Sequence, residues 1–281
     1  MDRELVLAVL LLVFGGVLLF TATLWSPTRI FEPSARSLER CLWRRLWFPL
    51  LGPALAFSTL LGWAVNEPEQ AEGVPVIFIL GASLVASIWL RALVRAGRAV
   101  RLRSAATPIA TVGLLRPRVV VSRSFANAVD DVALDAACKH EAAHARHRDP
   151  LRIWLAQLGT DLQWPSARAR ARFQGWLEAL EMARDEEARL TGAEGADLAS
   201  AIIVAVRLCA PENDRPLAAV AGTTSAFKER IERLLIPLPK VVPTAASPVP
   251  LIGFVFALAS AAVFGATFGE PIVKAILTGQ L

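Results

Sequence analysis

The chain has no tyrosine, three histidines, three cysteines and two methionines. Of its 30 basic residues only four are lysine, the other 26 being arginine, and charged residues of all kinds make up 20% of the 281. Low charge beside 54% hydrophobic residues and a mean hydropathy of +0.47 excludes disorder, which needs the reverse balance. Collagen-like and low-complexity classes fail with only 17 Gly and 18 Pro. Cys41, Cys138 and Cys209 are odd in number, widely spaced and form no CxxC, so a disulfide framework is not expected. Length alone allows one or two domains.

The hydrophobic residues are concentrated in long runs. Leu5–Trp25, Leu46–Val65, Val74–Leu90 and Val249–Phe268 carry no charge, and each is about as long as the ~20 residues that cross a bilayer core. The first run exceeds the usual h-region of a signal peptide, and Asp2 and Glu4 dilute its basic start, so it reads as a retained span. Loop charges orient the set. The 26–45 loop holds Arg29, Arg36, Arg40, Arg44 and Arg45 against two Glu, and five Arg follow the third run at 91–103. The 66–73 loop holds three Glu and no Lys or Arg. By the positive-inside rule the Arg-rich flanks face the cytoplasm and the N-terminus lies outside. The expected organisation is three spans within 1–90 (5–25, 46–65, 74–90), a cytoplasmic domain over 91–245, and a fourth span (249–268) with a short external tail within 246–281. Residues 91–103 and the 26–45 loop place much of the Arg excess against anionic lipid headgroups, which argues against nucleic-acid binding.

The expected cytoplasmic domain is mainly helical with a small β element. Ile109–Val112 and Arg118–Val121 read as short strands around a turn with Gly113 and Pro117. Asp130 or Asp131 caps a helix that runs through VALDAACKHEAAHARHR. Asp149-Pro150 marks a break or a new first turn. Helical patterns follow over Leu151–Trp164, Ala167–Leu190, Ala196–Cys209 and the amphipathic Phe227–Leu235.

All three histidines fall within this domain's first helix, as His140-Glu141-Ala142-Ala143-His144-Ala145-Arg146-His147. HExxH on a helix sets two imidazoles one turn apart, spaced to grip one zinc ion, with Glu141 beside them as general base. A zinc site needs a further protein ligand. His147 is seven residues beyond His140, a rise of roughly 10.5 Å, too far to share the ion. With no other histidine the third ligand must be a carboxylate. The stretch from Leu180 to Glu187 offers Glu181 and Asp185 one turn apart, one to bind the metal and one to accept a hydrogen bond from a ligand imidazole. Glu178, Glu186 and Glu187 are the other candidates. Cys138, two residues before His140, reads as a small packed residue.

These features together resemble the BlaR/MecR-type membrane metallopeptidases. The similar segments are GLLRPRVVVS at 113–122 before the zinc helix, HEAAHARHRDP at 140–150, LQWP at 162–165, Glu181-Met-Ala-Arg-Asp185 as the downstream ExxxD of gluzincins, and FKERIERLL at 227–235 before the last span. The resemblance covers about residues 40–265. It implies His140, His144 and Glu181 as zinc ligands, Glu141 as catalytic base and Asp185 as partner of a ligand imidazole. Arg184 stands where the family often has Cys. The antibiotic sensors of the family carry an extracellular penicillin-binding domain after the fourth span, whereas this chain ends at Leu281, so direct β-lactam sensing is not expected of it.

The fold class expected is therefore a mainly α membrane protein. It has four transmembrane helices and a cytoplasmic gluzincin-like metalloprotease domain between spans three and four. The expected activity is zinc-dependent endopeptidase cleavage of a cytoplasmic or membrane-proximal protein in signal transduction, with a transcriptional repressor or the chain itself as substrate. Expected partners are membrane lipid, the protein substrate and a separate sensor or repressor, in a bacterial-type inner membrane. The absent tyrosine removes one common donor to the tetrahedral intermediate, leaving Arg, Asn, His147, a backbone N–H or the zinc. The contrasting reading is a non-catalytic membrane signalling scaffold with a structural zinc, in which Glu141 has no task.

Overall fold

The computed structural model describes residues 34–66, 76–102, 108–209, 225–238 and 249–278. The expected first span (5–25) and the 67–75 stretch with most of the acidic loop lie outside the described residues. The protein is mainly helical with one two-stranded sheet. In chain order the elements are α1 (Ala35–Asn66), α2 (Val76–Leu102), β1 (Ile109–Val112), β2 (Arg118–Val121), α3 (Arg123–Ala126), α4 (Asp131–Arg146), α5 (Asp149–Asp161), α6 (Ala167–Leu190), α7 (Gly195–Cys209), α8 (Ser225–Leu235) and α9 (Val249–Thr278).

Three helices run beyond the apolar runs they carry. The 26–45 segment is not a loop throughout, because α1 starts at Ala35 and carries Arg36, Arg40, Arg44 and Arg45. No Gly or Pro interrupts Ala35–Phe48, and Leu42, Trp43, Leu46 and Trp47 pack against α5 and α6, so the helix continues unbroken from these residues into the apolar run. The third run does not stop at Leu90, as α2 extends to Leu102. Its later turns lie on α5, where Ala92 and Ala96 are buried and Trp154 Nε1 donates to the Ala96 carbonyl at 3.1 Å. The helix that carries the last run continues beyond Phe268. Gly269 and Pro271 are absorbed within α9, which reaches Thr278.

Among the described residues two helices are long and apolar enough to cross a membrane, α1 over Ala35–Trp63 and α9 over Val255–Ile272. They pack on one another through glycine. A Cβ at Gly62 would stand 1.9 Å from the Ala262 carbonyl oxygen, and one at Gly265 would stand 1.8 Å from that of Thr59. Gly269, one turn on, faces the Trp63 ring. Small residues four apart let helix backbones approach where lipid gives no hydrophobic drive.

The domain between them is built on α4 and α6. Asp130 caps α4, its side chain accepting from Ala133 N at 2.7 Å. Ala133, Ala136, Ala137 and Ala143 are buried along α4, so neighbouring helices approach closely. One cluster (Phe125, Ala133, Ala137, Ala201) seats α4 on α3, α7 and the sheet. A second joins α4, α6, α7 and α8 through Ala136, Ala188, Leu198 and Leu234. The third joins α1, α5 and α6 through Leu46, Ala156, Phe173, Trp176 and Leu180. β1 and β2 pair antiparallel with Ile109 opposite Val121, and Gly113 turns between them at φ +99°, a left-handed value that favours glycine. The chain reverses from α4 into α5 at Arg148, with φ +52°.

Candidate metal centre

Helix periodicity brings His140 and His144 to one face of α4, and α6 lies across that face. Their Nε2 atoms are 3.0 Å apart. Glu181 closes the triangle, with Oε2 3.5 Å from His140 Nε2 and Oε1 3.6 Å from His144 Nε2. Nitrogen and oxygen ligands about 2.0–2.2 Å from one tetrahedral ion lie roughly 3.3–3.6 Å from each other. The two carboxylate separations fall at that spacing and the imidazole pair is somewhat closer, so these residues could hold one ion. The imidazole side chains are 8% and 9% exposed, whereas Glu181 is 38% exposed. The site is open on the carboxylate side.

Each imidazole has a carboxylate at its other nitrogen. His140 Nδ1 lies 2.9 Å from Asp185 Oδ1, and His144 Nδ1 lies 2.9 Å from Asp149 Oδ2. A proton on Nδ1 in each ring leaves both Nε2 lone pairs facing the gap, the tautomer a metal needs. Asp185 thus lies beside His140, one of the three residues that could hold an ion. Asp149 was not singled out. The left-handed turn at Arg148 folds Asp149 back under His144, and the side chain is fully buried. Arg184 reaches Asp149 from α6 with Nε and with Nη2 (3.0 Å). The residue expected to depart from the family pattern therefore anchors the second imidazole.

Arg230 on α8 was also not singled out. Its Nη1 lies 3.0 Å from Glu181 Oε2, its Nε 2.6 Å from Asp185 Oδ2, and its Nη2 3.5 Å from His140 Nε2. The local sequence showed only an amphipathic helix, and no pattern near Arg230 announces a partner 45 residues upstream.

Charge in the site favours a cation. Burial disfavours the charged imidazole of His144, but the Glu181 carboxylate and the Asp149 hydrogen bond outweigh it and raise its pKa to about 10. His140 is raised as well, because hydrogen bonds that its protonated ring donates to Asp185 and Glu181, with the Asp185 charge, overcome burial. Burial opposes the charge of Asp185 and of Glu181, yet the Arg230 guanidinium, followed by the histidines, holds both below the usual carboxylate range. The carboxylates that favour protons on the imidazoles equally favour a metal between them, so binding one must release protons.

Glu141 sits beside the ligands without joining the triangle. Thr111 Oγ1 on β1 lies 2.8 Å from Glu141 Oε2 and 2.7 Å from its carbonyl oxygen. The sheet thus orients this carboxylate. His147 is half exposed with Nε2 2.7 Å from Glu187 Oε2, an α4–α6 contact and not a ligand. The other candidate carboxylates are engaged elsewhere or point away. Glu187 pairs with Arg146 and His147, Glu186 accepts from Ser34 and from Ala35 N (2.9 Å) at the start of α1, and Glu178 is exposed. Burial, with nearby Asp135 and Glu141, raises the Cys138 thiol, so it is not an activated nucleophile. All three cysteines are free. The chain matches no protein-family model, no curated protein and no solved structure with which it was compared.

Proposed function

We propose that this protein is a membrane-embedded zinc metalloendopeptidase of BlaR/MecR-like type. The observation that carries the reading is the convergence of His140 Nε2, His144 Nε2 and a Glu181 carboxylate within 3.0–3.6 Å, with Glu141 adjacent and uncommitted to the triangle. A zinc ion bound there would polarise a scissile carbonyl and bring the pKa of water down toward ~7.

The chain's own residues supply the rest. Asp185 and Asp149 hold the two imidazoles in the tautomer that ligates. Glu141, steadied by Thr111, accepts the proton of the attacking water and returns it to the departing amine. Arg230 has N–H groups beyond those used on Asp185 and Glu181 and lies against the ligand edge, which favours it over His147 as the donor to the developing oxyanion. The edge of β2 that is not paired with β1 suits pairing with an extended peptide.

In this reading α1, α2 and α9 are the second, third and fourth of four spans, with the N-terminus outside. The domain between α2 and α9 faces the cytoplasm, as the Arg-rich flanks require. The substrate is a cytoplasmic or membrane-proximal protein, a repressor or the chain itself.

The test compares protein termini in cells carrying wild-type and Glu141→Ala chains. New termini present only with the wild type, or a shortened wild-type chain, are the expected result. Identical termini in both, with zinc retained in both, would leave the scaffold with a structural zinc as the reading.

A further inference from the structure

The support of His144 does not end within the soluble domain. Asp149 takes a second cation, Arg152 of α5, whose Nη1 donates to Asp149 Oδ1 at 2.9 Å. The other end of that guanidinium is bound to Oε1 of Glu39 on α1. Glu39 is 4% exposed and also accepts from Trp176 Nε1 at 3.1 Å. Arg152 is clamped between this carboxylate and the Trp43 ring, 4.6 Å from the ring centroid, and Trp43 belongs to the same turn of α1. A buried carboxylate on a helix that leads into the membrane therefore stands three contacts from the His144 imidazole, through charged groups with no gap between them. A second tie lies beside the other histidine. Glu186, next in sequence to Asp185, accepts from Ser34 Oγ at 2.9 Å and from Ala35 N at 2.9 Å, binding the first turn of α1 to α6.

We infer that Glu39 is a positioning residue of the metal centre, fixing the His144 imidazole through Arg152 and Asp149 so that α1 forms part of the centre's support. This rests on the reading of His140, His144 and Glu181 as zinc ligands. Glu39 shares the Arg152 charge with Asp149. Glu39 holds the Arg152 guanidinium in place against Asp149, so without Glu39, or without both partners, Asp149 loses a fixed support and swings more freely under His144. The imidazole is then held less firmly and becomes a poorer ligand. Groups in direct contact with a metal-bound histidine change metal affinity by ~10–100-fold when altered. A residue two contacts further out is expected to act in the same direction and less strongly.

The test measures zinc affinity of the full chain in detergent by chelator competition. Asp149→Asn should weaken binding ~10–100-fold and Glu39→Gln about 3–10-fold. The double variant should bind no more weakly than Asp149→Asn alone, because Glu39 acts through Asp149. Phe173→Leu, which disturbs the same α1–α5–α6 core without touching the charged chain, should leave affinity unchanged. If Glu39→Gln leaves an unpaired buried arginine and fails to fold, the paired Glu39→Gln/Arg152→Met chain removes both charges and should show the same loss. Wild-type affinity in Glu39→Gln or in the paired variant, additive losses in the double variant, or an equal loss in Phe173→Leu would overturn the inference. Zinc binding with this coupling intact but no peptidase activity would count against the protease reading alone. A wild-type chain that binds no zinc would count against both.

Discussion

α1 meets α9 through glycine, and α4 meets α6 through charge. At the first contact, backbone lies on backbone. The carbonyls of Thr59 and Ala262 occupy the places where side chains of Gly265 and Gly62 would begin. At the second, His140 and His144 of α4 interlock with Glu181 and Asp185 of α6, and Arg184 of α6, Asp149 of α5 and Arg230 of α8 join the network. A contact of shape tolerates any neighbour that is small and fails when a Cβ is added. A contact of charge tolerates little change of identity and fails when one partner is removed, because the other is left buried and unpaired. The two contacts should therefore break independently, under different substitutions and by different readouts.

The largest effect should come at the glycine contact. Gly265→Leu drives a side chain into the Thr59 carbonyl and should cost upwards of ~2–3 kcal/mol by thermal unfolding in detergent. Zinc content per folded chain should not change. A parallel loss of zinc would mean that the two contacts are one unit.

Asp149→Asn and Asp185→Asn should each weaken zinc binding ~10–100-fold, measured by chelator competition, because each orients one ligand ring. If only Asp185 matters, the network around Asp149, Arg184 and Arg152 serves packing alone and the site is supported from one side.

A smaller effect separates the site's edge from its centre. Burial opposes the charge of Glu187, but the hydrogen bond from His147 and the charges of His147, Arg184 and Arg146 hold its pKa at about 2, below the ordinary 4.5. A carboxylate depressed in this way contributes stability that is present above pH 4.5 and is lost as pH falls from there toward 2. Glu187→Gln should flatten the stability–pH curve across that window in acid titrations followed by circular dichroism, with zinc stoichiometry at neutral pH preserved.

The smallest is Arg148→Gly. It relieves a non-glycine residue at φ +52° and should stabilise the fold by about 1 kcal/mol in denaturant melts, leaving zinc affinity as it is.

The two contacts also differed in how far the sequence disclosed them. His140, Glu141 and His144 follow from spacing on one helix, and Asp185 from its turn-apart spacing to Glu181, because a single helix period relates them. Asp149 needed knowledge that the backbone turns left-handed at Arg148, which Asp-Pro signals as a break but not as a reversal. Arg230, Arg152 and Glu39 lie on three other helices. Their roles depend on how those helices pack, and nothing local marks them. The apolar runs were visible in the sequence, but the helices that carry them continue through arginines and past Gly269 and Pro271. Charge and proline ended the hydrophobic pattern there without ending the helix. The pairing of α1 with α9 was hidden because glycines in an apolar run carry no signal of their partner.

The central claim is that one zinc sits between His140, His144 and Glu181. Elemental analysis of the gently purified full chain tests it most directly. The expected result is a single zinc per wild-type chain, retained in Glu141→Ala and lost in His144→Ala. A wild-type chain without zinc, or one whose zinc survives His144→Ala, would contradict it.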